Sequence, residues 1–450
     1  MTHLTNRWPS LGRSRDRALF LGAALLALVA CDRGGTKSAP ANDAAANATA
    51  ANATAAGATT AGTSAAPIPV PYPHATEVIG TVRESYDGTL SDEMAVHTFR
   101  NIDRLFPTRA IAPAATPGEL PPRTHPLPAI TFPAKGAMHT LDEYFAGNRV
   151  AAILVLSRDS IALERYFFGN DRRTRWMSMS IAKSITSTLI GAAIHDGSIG
   201  SVNDMVTRYV PALAGTAYDG VSIRDVLMMA SGVKWIETYT DSSSDRRHLL
   251  EAQIAQQPGA ALAVMAKLPR AAPPGTRHNY STGETQVAAE ILHGAVKEPL
   301  ATYLSARIWR PMGMEAEGRW WLASPDGIEI GGSGISATLR DYGRFGLFVE
   351  HDGVANGVRI LPEGWVHEAG SPKVLKNGKR LSYGYMWWIP ESEVARRDGA
   401  FAAEGIHGQY VYVDPAAHVV IVVWSAQPKP VGGEVYDDLA VFDAIVAALR

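Results

Sequence analysis

Two pairs of strand-forming segments stand at opposite ends of the globular sequence, and this separation restricts the fold more than any other feature. Residues 150–156 and 160–168 have the composition of two strands joined by a tight turn, and residues 409–413 and 419–424 predict a second hairpin. Helical periodicity predicts helices at 180–195, 286–293, 301–309, 339–350 and 435–449. We therefore expect an α/β (α+β) fold, with an antiparallel sheet built from both termini, flanking helices and a mainly helical insertion at about 200–330.

The amino-terminal region differs in composition from the rest of the chain. Three arginines precede an apolar run at 18–30, which is too short for a membrane span of about 20 residues but has the length of a secretory signal. The tetrapeptide Leu-Val-Ala-Cys that ends at Cys31 resembles a bacterial lipobox, in which the cysteine is lipidated. An ordinary signal peptide with an incidental cysteine, or an uncleaved anchor, remains an alternative.

These features predict four regions along the chain. Residues 1–30 form a signal peptide and 31–67 carry the lipidated cysteine and a linker, because 32–66 contains no Val, Ile, Leu, Met or aromatic residue to bury. Residues 68–135 form an extension that wraps the core, and 136–450 form the main domain. We expect a bacterial cell-envelope protein that is lipid-anchored to a membrane and faces the periplasm or the exterior.

Composition excludes several classes of function. The formal net charge of -2 gives no cationic excess for nucleic acid, so we expect no nucleic-acid partner. A single cysteine forms no internal disulfide and no thiolate metal site. The histidines show no metal-ligating pair, and no glycine-rich phosphate loop is present. We therefore predict neither a metal nor a cofactor.

A candidate nucleophile lies at the start of the helix predicted at 180–195. Ser180 and Lys183 are three residues apart and share one helix face, so the amine can reach the hydroxyl. A serine hydroxyl needs a neighbouring base, and Lys183 can act as one if its pKa is lowered. The basic cluster formed by Arg172, Arg173 and Arg175 is a solvated turn, a source of that lowering or a contact for an anionic substrate.

Several further segments accompany this Ser-x-x-Lys pair. They are SMSIAKSITSTLIG, DVLMMASGVKW, NYSTGETQ, GGSGISATLRDYGRFG, and YGYMWW followed by GIHGQ. Together they resemble the serine β-lactamase/DD-peptidase-like hydrolases over roughly residues 99–450, and most closely the 6-aminohexanoate-dimer hydrolase branch. The resemblance implies a β-lactamase/transpeptidase-like fold for the domain at 136–450.

The resemblance also implies roles for individual residues. Ser180 corresponds to the acylated nucleophile, Lys183 to the helix partner that takes or relays its proton, and Tyr280 to the tyrosine of the Tyr-x-Asn motif, which serves as an acid or base. Thr282 stands where that motif has its asparagine, so a hydroxyl takes the place of the amide group that would contact the substrate. Thr282 is therefore the corresponding candidate for substrate binding.

The third motif is aligned by counting back from Asp414-Pro415. The resemblance then places Ala403-Glu404-Gly405 at the Lys/His-Thr-Gly triplet, and Gly405 would let substrate approach the strand. It implies an oxyanion hole formed by the backbone N–H groups of Ser180 and Ile406. His407 is the nearest candidate for the missing cationic substrate contact; a register that begins at His407 would move the oxyanion donor to Gln409 or beyond.

The predicted function is that of a serine hydrolase that cleaves a small-molecule amide or ester through an acyl-enzyme on Ser180. The alternatives are a DD-peptidase or weak β-lactamase acting on peptidoglycan-type substrates, or an envelope sensor that is acylated without turnover. The loop that carries Tyr239, Asp241 and Asp245 either covers the site or is solvated. The sequence predicts no particular oligomeric state.

Overall fold

A computed structural model describes residues 72–450. The predicted signal peptide at 1–30, the lipidation site Cys31 and the linker that ends at residue 67 lie outside the described residues. Within the described part of the chain, no helix is long and apolar enough to cross a membrane.

The elements alternate between short strands and helices along the described chain. The strands are β1 (Thr108–Ile111), β2 (Thr131–Ala134), β3 (Ala137–Thr140), β4 (Val150–Ser157), β5 (Ser160–Tyr166), β6 (Arg175–Met177), β7 (Gly318–Trp321), β8 (Ile335–Thr338), β9 (Val354–Ala355), β10 (Val358–Arg359), β11 (Phe401–Gly405), β12 (Gln409–Asp414) and β13 (Val419–Ser425). The helices are α1 (Val82–Asp87), α2 (Asp92–Arg100), α3 (Leu141–Gly147), α4 (Ile181–His195), α5 (Val206–Tyr209), α6 (Ile223–Leu227), α7 (Asp245–Ile254), α8 (Ala260–Lys267), α9 (Thr282–Val296), α10 (Leu300–Leu304), α11 (Leu339–Glu350), α12 (Trp365–Ala369), α13 (Glu393–Asp398) and α14 (Asp438–Leu449).

The main sheet joins the two ends of the globular sequence, as predicted. Its order is β11-β12-β13-β4-β5, and every neighbouring pair is antiparallel. All residues of β4 and β13 are buried, because helices cover both faces of these central strands. The predicted antiparallel sheet with flanking helices is confirmed.

The two faces of the main sheet are covered by different helices. Helix α14 places Phe442 and Ile445 in a hydrophobic cluster with Ile153 and Val423 on one face. Helix α11 packs against β4, β12 and β13 on the other face. Its approach is close, because a Cβ atom on Gly346 would lie 2.4 Å from Val420 Cγ1.

A second, four-stranded sheet holds the start of α4. Its order is β1-β7-β8-β6, so the amino-terminal extension contributes an edge strand. Strand β6 leads directly into α4, and the Ser178 N–H donates to the Ile335 carbonyl at 2.8 Å. The sequence analysis did not predict this sheet, because its strands have only three or four residues.

Helix α4 connects the second sheet to the surrounding loops. It is buried from residue 181 to residue 193, and its hydroxyl side chains donate to backbone carbonyls of neighbouring segments. Ser184 donates to the Met386 carbonyl at 2.6 Å, and Thr186 donates to the Gly331 carbonyl at 2.9 Å. These bonds fix the two loops against the helix that carries the candidate nucleophile.

Some predicted helices have different limits in the structure. The helix expected at 286–293 is the longer α9, whose first turn is capped by the Ser281 hydroxyl accepting from the Glu284 N–H at 3.1 Å. The helix expected at 301–309 divides into α10 and a π-helical turn, Ser305–Trp309. Helix α11 has the predicted limits.

We predict that Gly346→Ala lowers the free energy of unfolding by about 1–3 kcal/mol, although alanine favours helices, because the added methyl group overlaps Val420. Urea denaturation followed by circular dichroism measures this change. Val358→Ala, at a side chain that is 64% exposed, should change stability by less than about 0.5 kcal/mol. Equal stability of the two variants would contradict this account of the helix–sheet contact.

Candidate active site

The candidate nucleophile Ser180 lies at the junction between the second sheet and α4. Ser180 is the residue that precedes the first turn, so its side chain stands at the positive end of the helix. Met179 has a φ of 40°, in the left-handed region that non-glycine residues seldom adopt. Strain of this kind concentrates at functional sites, and here it precedes a largely buried hydroxyl.

The Lys183 amine contacts the candidate nucleophile directly. Lys183 Nζ lies 3.0 Å from Ser180 Oγ and 2.8 Å from the Gly332 carbonyl oxygen. Burial lowers the pKa of Lys183 to about 7, the Glu237 carboxylate opposes this lowering, and the Arg246 guanidinium reinforces it. An amine with this pKa is largely unprotonated in mildly alkaline solution and is therefore a competent base.

Tyr280 lies beside the same two groups, immediately before α9. Lys183 Nζ is 5.5 Å from the centre of the Tyr280 ring, and the ring stacks on Trp388 at a centroid distance of 5.2 Å. Burial and the nearby Glu237 carboxylate raise the pKa of Tyr280, whereas a hydrogen bond with the Ser180 side chain opposes the rise. The phenol is therefore protonated at neutral pH and can donate a proton.

Thr282 has a protein partner for its hydroxyl. The Thr282 hydroxyl donates to Glu237 Oε1 at 2.5 Å, and the Thr282 N–H donates to Glu237 Oε2 at 2.8 Å. The Trp235 indole N–H also donates to Oε2, at 2.5 Å. Thr282 thus fixes a buried carboxylate near the amine, and the substrate contact expected of its hydroxyl is not formed while this bond persists.

Strand β11 brings the third predicted segment to the nucleophile. A Cβ atom on Gly405 would lie 3.1 Å from the Ser180 backbone nitrogen and 2.7 Å from the Ser178 carbonyl oxygen, so only glycine permits this approach. Ile406 follows at the end of the strand and is buried. The register in which Ala403, Glu404 and Gly405 form the triplet therefore matches the geometry.

The predicted role of His407 in substrate binding is wrong. The side chain lies in the turn after β11 and is only 2% exposed. Its Nδ1 contacts the Gln427 carbonyl oxygen at 2.7 Å, and its Nε2 contacts the Ser85 carbonyl oxygen at 2.9 Å. Both ring nitrogens face backbone carbonyl oxygens, so His407 joins the amino-terminal extension to the main sheet and does not present its ring to a substrate.

Comparison with known proteins identifies the family of this chain. The sequence pattern of the β-lactamase family matches residues 140–445. The chain belongs to the β-lactamase family. Among curated relatives, the 6-aminohexanoate-dimer hydrolase of Paenarthrobacter ureafaciens is 29% identical over 349 residues, which cover 74% of this chain and 85% of that protein.

Solved structures of other hydrolases show a similar fold. A Bacillus anthracis protein described as a candidate 6-aminohexanoate-dimer hydrolase has a TM-score of 0.70 at 22% identity, covering 83% of this chain and 97% of its own. A family VIII carboxylesterase has a TM-score of 0.52 at 16% identity, covering 69% and 94%. The predicted β-lactamase/transpeptidase-like fold is thus confirmed.

The loop at 239–245 contributes one of its three candidate residues to the site. The Tyr239 side chain is buried, and this burial, together with the neighbouring Glu237 and Tyr280, raises the pKa of its phenol well above the usual value. Asp241 is exposed and accepts from the Ser243 hydroxyl at 2.7 Å, and Asp245 accepts from the Ile236 N–H at 2.9 Å. The two aspartates thus stabilise the loop itself.

The basic cluster before the nucleophile forms separate ion pairs. Arg172 binds Glu315, Arg173 binds Asp171 and Arg175 binds Asp103. None of the three is among the groups that shift the pKa of Lys183. This cluster is therefore not the source of the lowered pKa.

Sequence reasoning missed the buried charges that surround Lys183. Glu237 and Arg246 lie in an irregular segment and in the first turn of α7, and neither belongs to a motif that the sequence analysis recognised. The side chains are 5% and 1% exposed, with Arg246 Nε 4.0 Å from Glu237 Oε1. Nothing in the sequence indicates that Glu237 and Arg246 lie near Lys183, because these residues come together only when the chain folds.

One group of potential metal ligands is found among residues 72–450. It consists of Asp159, Glu350 and His351, at the turn between β4 and β5 and the end of α11. His351 Nε2 contacts Asp159 at 2.8 Å and Glu350 at 3.3 Å, so contacts between the three side chains account for the cluster. The group shares no residue with the candidate active site.

We predict that Glu237→Gln has two separable effects. Because the Glu237 charge raises the pKa of Lys183, its removal should move the acid limb of the pH–rate profile below the value of about 7 expected for the unaltered protein. The variant also leaves Arg246 without its counter-charge, which should destabilise the fold by about 3–5 kcal/mol. A pH series of initial rates and urea denaturation measure the two effects.

The control for this prediction is Glu251→Gln, which removes one carboxylate from an exposed pair with Arg83. It should leave the acid limb in place and the stability within about 1 kcal/mol. An acid limb that moves to higher pH in Glu237→Gln would contradict the assigned electrostatics.

Proposed function

We propose that this chain is a serine hydrolase that cleaves amide or ester bonds through an acyl-enzyme on Ser180. The observation that carries the proposal is the 3.0 Å contact between Ser180 Oγ and a buried amine whose pKa is lowered to about 7. A weak nucleophile placed beside an unprotonated base is the arrangement that acyl transfer requires. Membership of the β-lactamase family supports the same chemistry.

Acylation follows from the positions of three side chains. Unprotonated Lys183 takes the proton of Ser180, and Ser180 Oγ attacks the substrate carbonyl carbon to form a tetrahedral intermediate. The backbone N–H groups of Ser180 and Ile406 stabilise the oxyanion. Collapse of the intermediate breaks the amide or ester bond, and the neutral Tyr280 phenol donates a proton to the departing nitrogen or oxygen while the Lys183 ammonium returns a proton to the phenol.

Deacylation reverses the roles of these groups. Water attacks the acyl carbonyl carbon, and its proton is taken by the unprotonated Lys183 amine. The second tetrahedral intermediate collapses with release of a carboxylic acid, and Ser180 Oγ regains a proton. The cycle consumes one water molecule and requires no cofactor.

The substrate class follows the named relatives. One relative is named a 6-aminohexanoate-dimer hydrolase, an amide-cleaving activity by its name, and a structural neighbour is a carboxylesterase. We propose a small-molecule amide or ester as the substrate of this chain. No specific observation favours the DD-peptidase, the weak β-lactamase or the acylated sensor, and Ala403 places no cation at the first position of the triplet.

We further propose that the protein is a lipoprotein of the bacterial cell envelope. The support is the apolar run at 18–30, the lipobox-like tetrapeptide that ends at Cys31 and the linker that follows.

We predict that substitution of the site stops turnover without unfolding the protein. Ser180→Ala should abolish hydrolysis of a 4-nitrophenyl ester. Tyr280→Phe should reduce kcat/KM for a simple alkylamide by about 10²- to 10⁴-fold, because a departing amine must be protonated and loses its proton donor. Rapid-quench intact mass spectrometry should detect an acyl adduct in the wild type and none in Ser180→Ala. Multiple turnovers by the wild type exclude the sensor, whereas equal turnover by Ser180→Ala would contradict the proposed nucleophile.

We predict that Cys31 carries the membrane anchor. Full-length protein made in a Gram-negative host with an alkyne fatty acid should become labelled and partition into detergent. Cys31→Ala should lose both properties. Detergent partitioning by both variants, without label, would instead indicate an uncleaved anchor, and a soluble secreted wild type would indicate an ordinary signal peptide.

A further inference from the structure

Two backbone N–H groups beside the candidate nucleophile have no acceptor within the described part of the chain. They belong to Ser180 and Ile406, residues that are 7% and 3% exposed. Strand β11 brings the two together, because a Cβ atom on Gly405 would lie only 3.1 Å from the Ser180 nitrogen. A buried donor without an acceptor costs free energy, so this pair is retained for an oxygen that the protein does not supply. The oxyanion of the proposed reaction is such an oxygen.

The Ile406 N–H lies at the entry to a tight turn, residues 406–408, that joins β11 to β12. His407 in this turn has a φ of 64°, in the left-handed region that a residue other than glycine retains only when its surroundings hold it there. Its backbone N–H donates to the Pro430 carbonyl at 3.0 Å, and its carbonyl accepts from Gln409 Nε2 at 2.9 Å. The direction of the Ile406 N–H therefore depends on how firmly His407 is fixed.

The His407 ring fastens this turn to the amino-terminal extension. Its Nε2 faces the Ser85 carbonyl oxygen of α1 at 2.9 Å, and its Nδ1 faces the Gln427 carbonyl oxygen at 2.7 Å. The ring also packs on Phe99 of α2, with 4.8 Å between the ring centres. Burial lowers the pKa of His407 and favours the neutral ring, which donates to one of the two oxygens in each tautomer. The ring thus occupies a closed position between the extension and the main sheet.

The reaction is sensitive to small displacements of this turn. An oxyanion donor is effective when its nitrogen lies about 2.7–3.1 Å from the oxygen, and removal of one donor typically lowers kcat by about 10²- to 10³-fold. Without the ring, the backbone of residue 407 is free to leave the left-handed conformation. The Ile406 N–H would then shift relative to the Ser180 N–H, and the two donors would no longer converge on one oxygen.

We propose that His407 is a positioning residue, whose ring fixes the turn at 406–408 so that the Ile406 N–H is directed at the substrate oxyanion. This inference rests on the proposed hydrolase function and adds a role for the amino-terminal extension, because α1 and α2 carry Ser85 and Phe99. His407 itself neither contacts the substrate nor transfers a proton in the reaction.

The test compares 4-nitrophenyl butyrate with its thiono analogue, in which sulfur replaces the carbonyl oxygen. Sulfur is larger than oxygen and is a weaker hydrogen-bond acceptor, so the two N–H groups stabilise its anion less. The ratio of kcat/KM for the oxygen ester to that for the thiono ester therefore measures what the donors contribute to acylation of Ser180. A loss of folded protein cancels in this ratio.

We expect the wild type to prefer the oxygen ester by at least about 10²-fold, and His407→Ala to reduce this ratio by about tenfold or more. His407→Asn should restore part of the ratio, because asparagine tolerates the left-handed conformation and its amide nitrogen takes the place of Nδ1. Gly346→Ala is the matched control, because it destabilises the main sheet away from the turn and should leave the ratio unchanged. A role of His407 that is only structural would lower both rates and preserve the ratio.

Other outcomes overturn the inference in distinguishable ways. If the wild type hydrolyses the oxygen ester through Ser180 but the ratio is the same in His407→Ala, or is near 1 in the wild type, His407 does not position an oxyanion donor and the hydrolase proposal stands. If the wild type hydrolyses neither ester, or if Ser180→Ala hydrolyses the oxygen ester as fast as the wild type, both proposals fail.

A boronic acid gives a second readout if the thiono ester reacts too slowly to be measured. The tetrahedral adduct of butylboronic acid with Ser180 Oγ places an oxygen at the same two N–H groups. The inhibition constant of this compound should rise in His407→Ala by about the factor by which kcat/KM for the oxygen ester falls. An unchanged inhibition constant would overturn the inference.

A further variant covers the case in which His407→Ala does not fold. His407→Gln retains an amide donor for the Ser85 carbonyl oxygen but lacks the ring that packs on Phe99. Its ratio should lie below that of the wild type. An unchanged ratio in this variant, or failure of both variants to fold, would mean that His407 serves the fold alone and would overturn the inference.

Discussion

The catalytic account depends on one desolvated amine. Lys183 is enclosed by the protein and contacts both Ser180 Oγ and the Gly332 carbonyl oxygen, so it loses the water that would stabilise its charge. The cost of burying the charged form appears as the lowered pKa. Burial is thus the main cause that converts a lysine, which is ordinarily protonated, into a base near neutral pH.

Three parts of the fold together enclose the Lys183 amine. The main sheet supplies the glycine-edged strand β11, the second sheet delivers Ser180 at the start of α4, and the helical insertion contributes Tyr280 together with the Glu237–Arg246 pair. Glu237 raises the pKa of Lys183 and Arg246 lowers it, so the two charges oppose each other in setting the basicity of the amine. The site is therefore a meeting point of three parts of the fold.

Local patterns carried enough information to predict four strands of the main sheet (β4, β5, β12 and β13) together with α4 and α11, because each depends on hydrophobic periodicity within a short window. The pairing of Ser180 with Lys183 was also local, whereas Tyr280 required the family resemblance. His407 was misassigned because a histidine near a strand looks the same in sequence whether its ring faces substrate or backbone carbonyls. Glu237 and Arg246 escaped prediction because their partners are distant in sequence and no periodic pattern marks a buried ion pair.

The most direct test of the central claim is the titration of the Lys183 amine in the folded protein. Nuclear magnetic resonance of protein labelled with ¹³C at the lysine ε-carbon, with Lys183→Met to assign the signal, reports the protonation of this side chain without reference to any substrate. The account predicts a midpoint near pH 7, because the pKa is lowered to about 7 from its ordinary value of 10.5. A midpoint close to 10.5 would mean that the amine is charged beside Ser180, and this would contradict its role as the base.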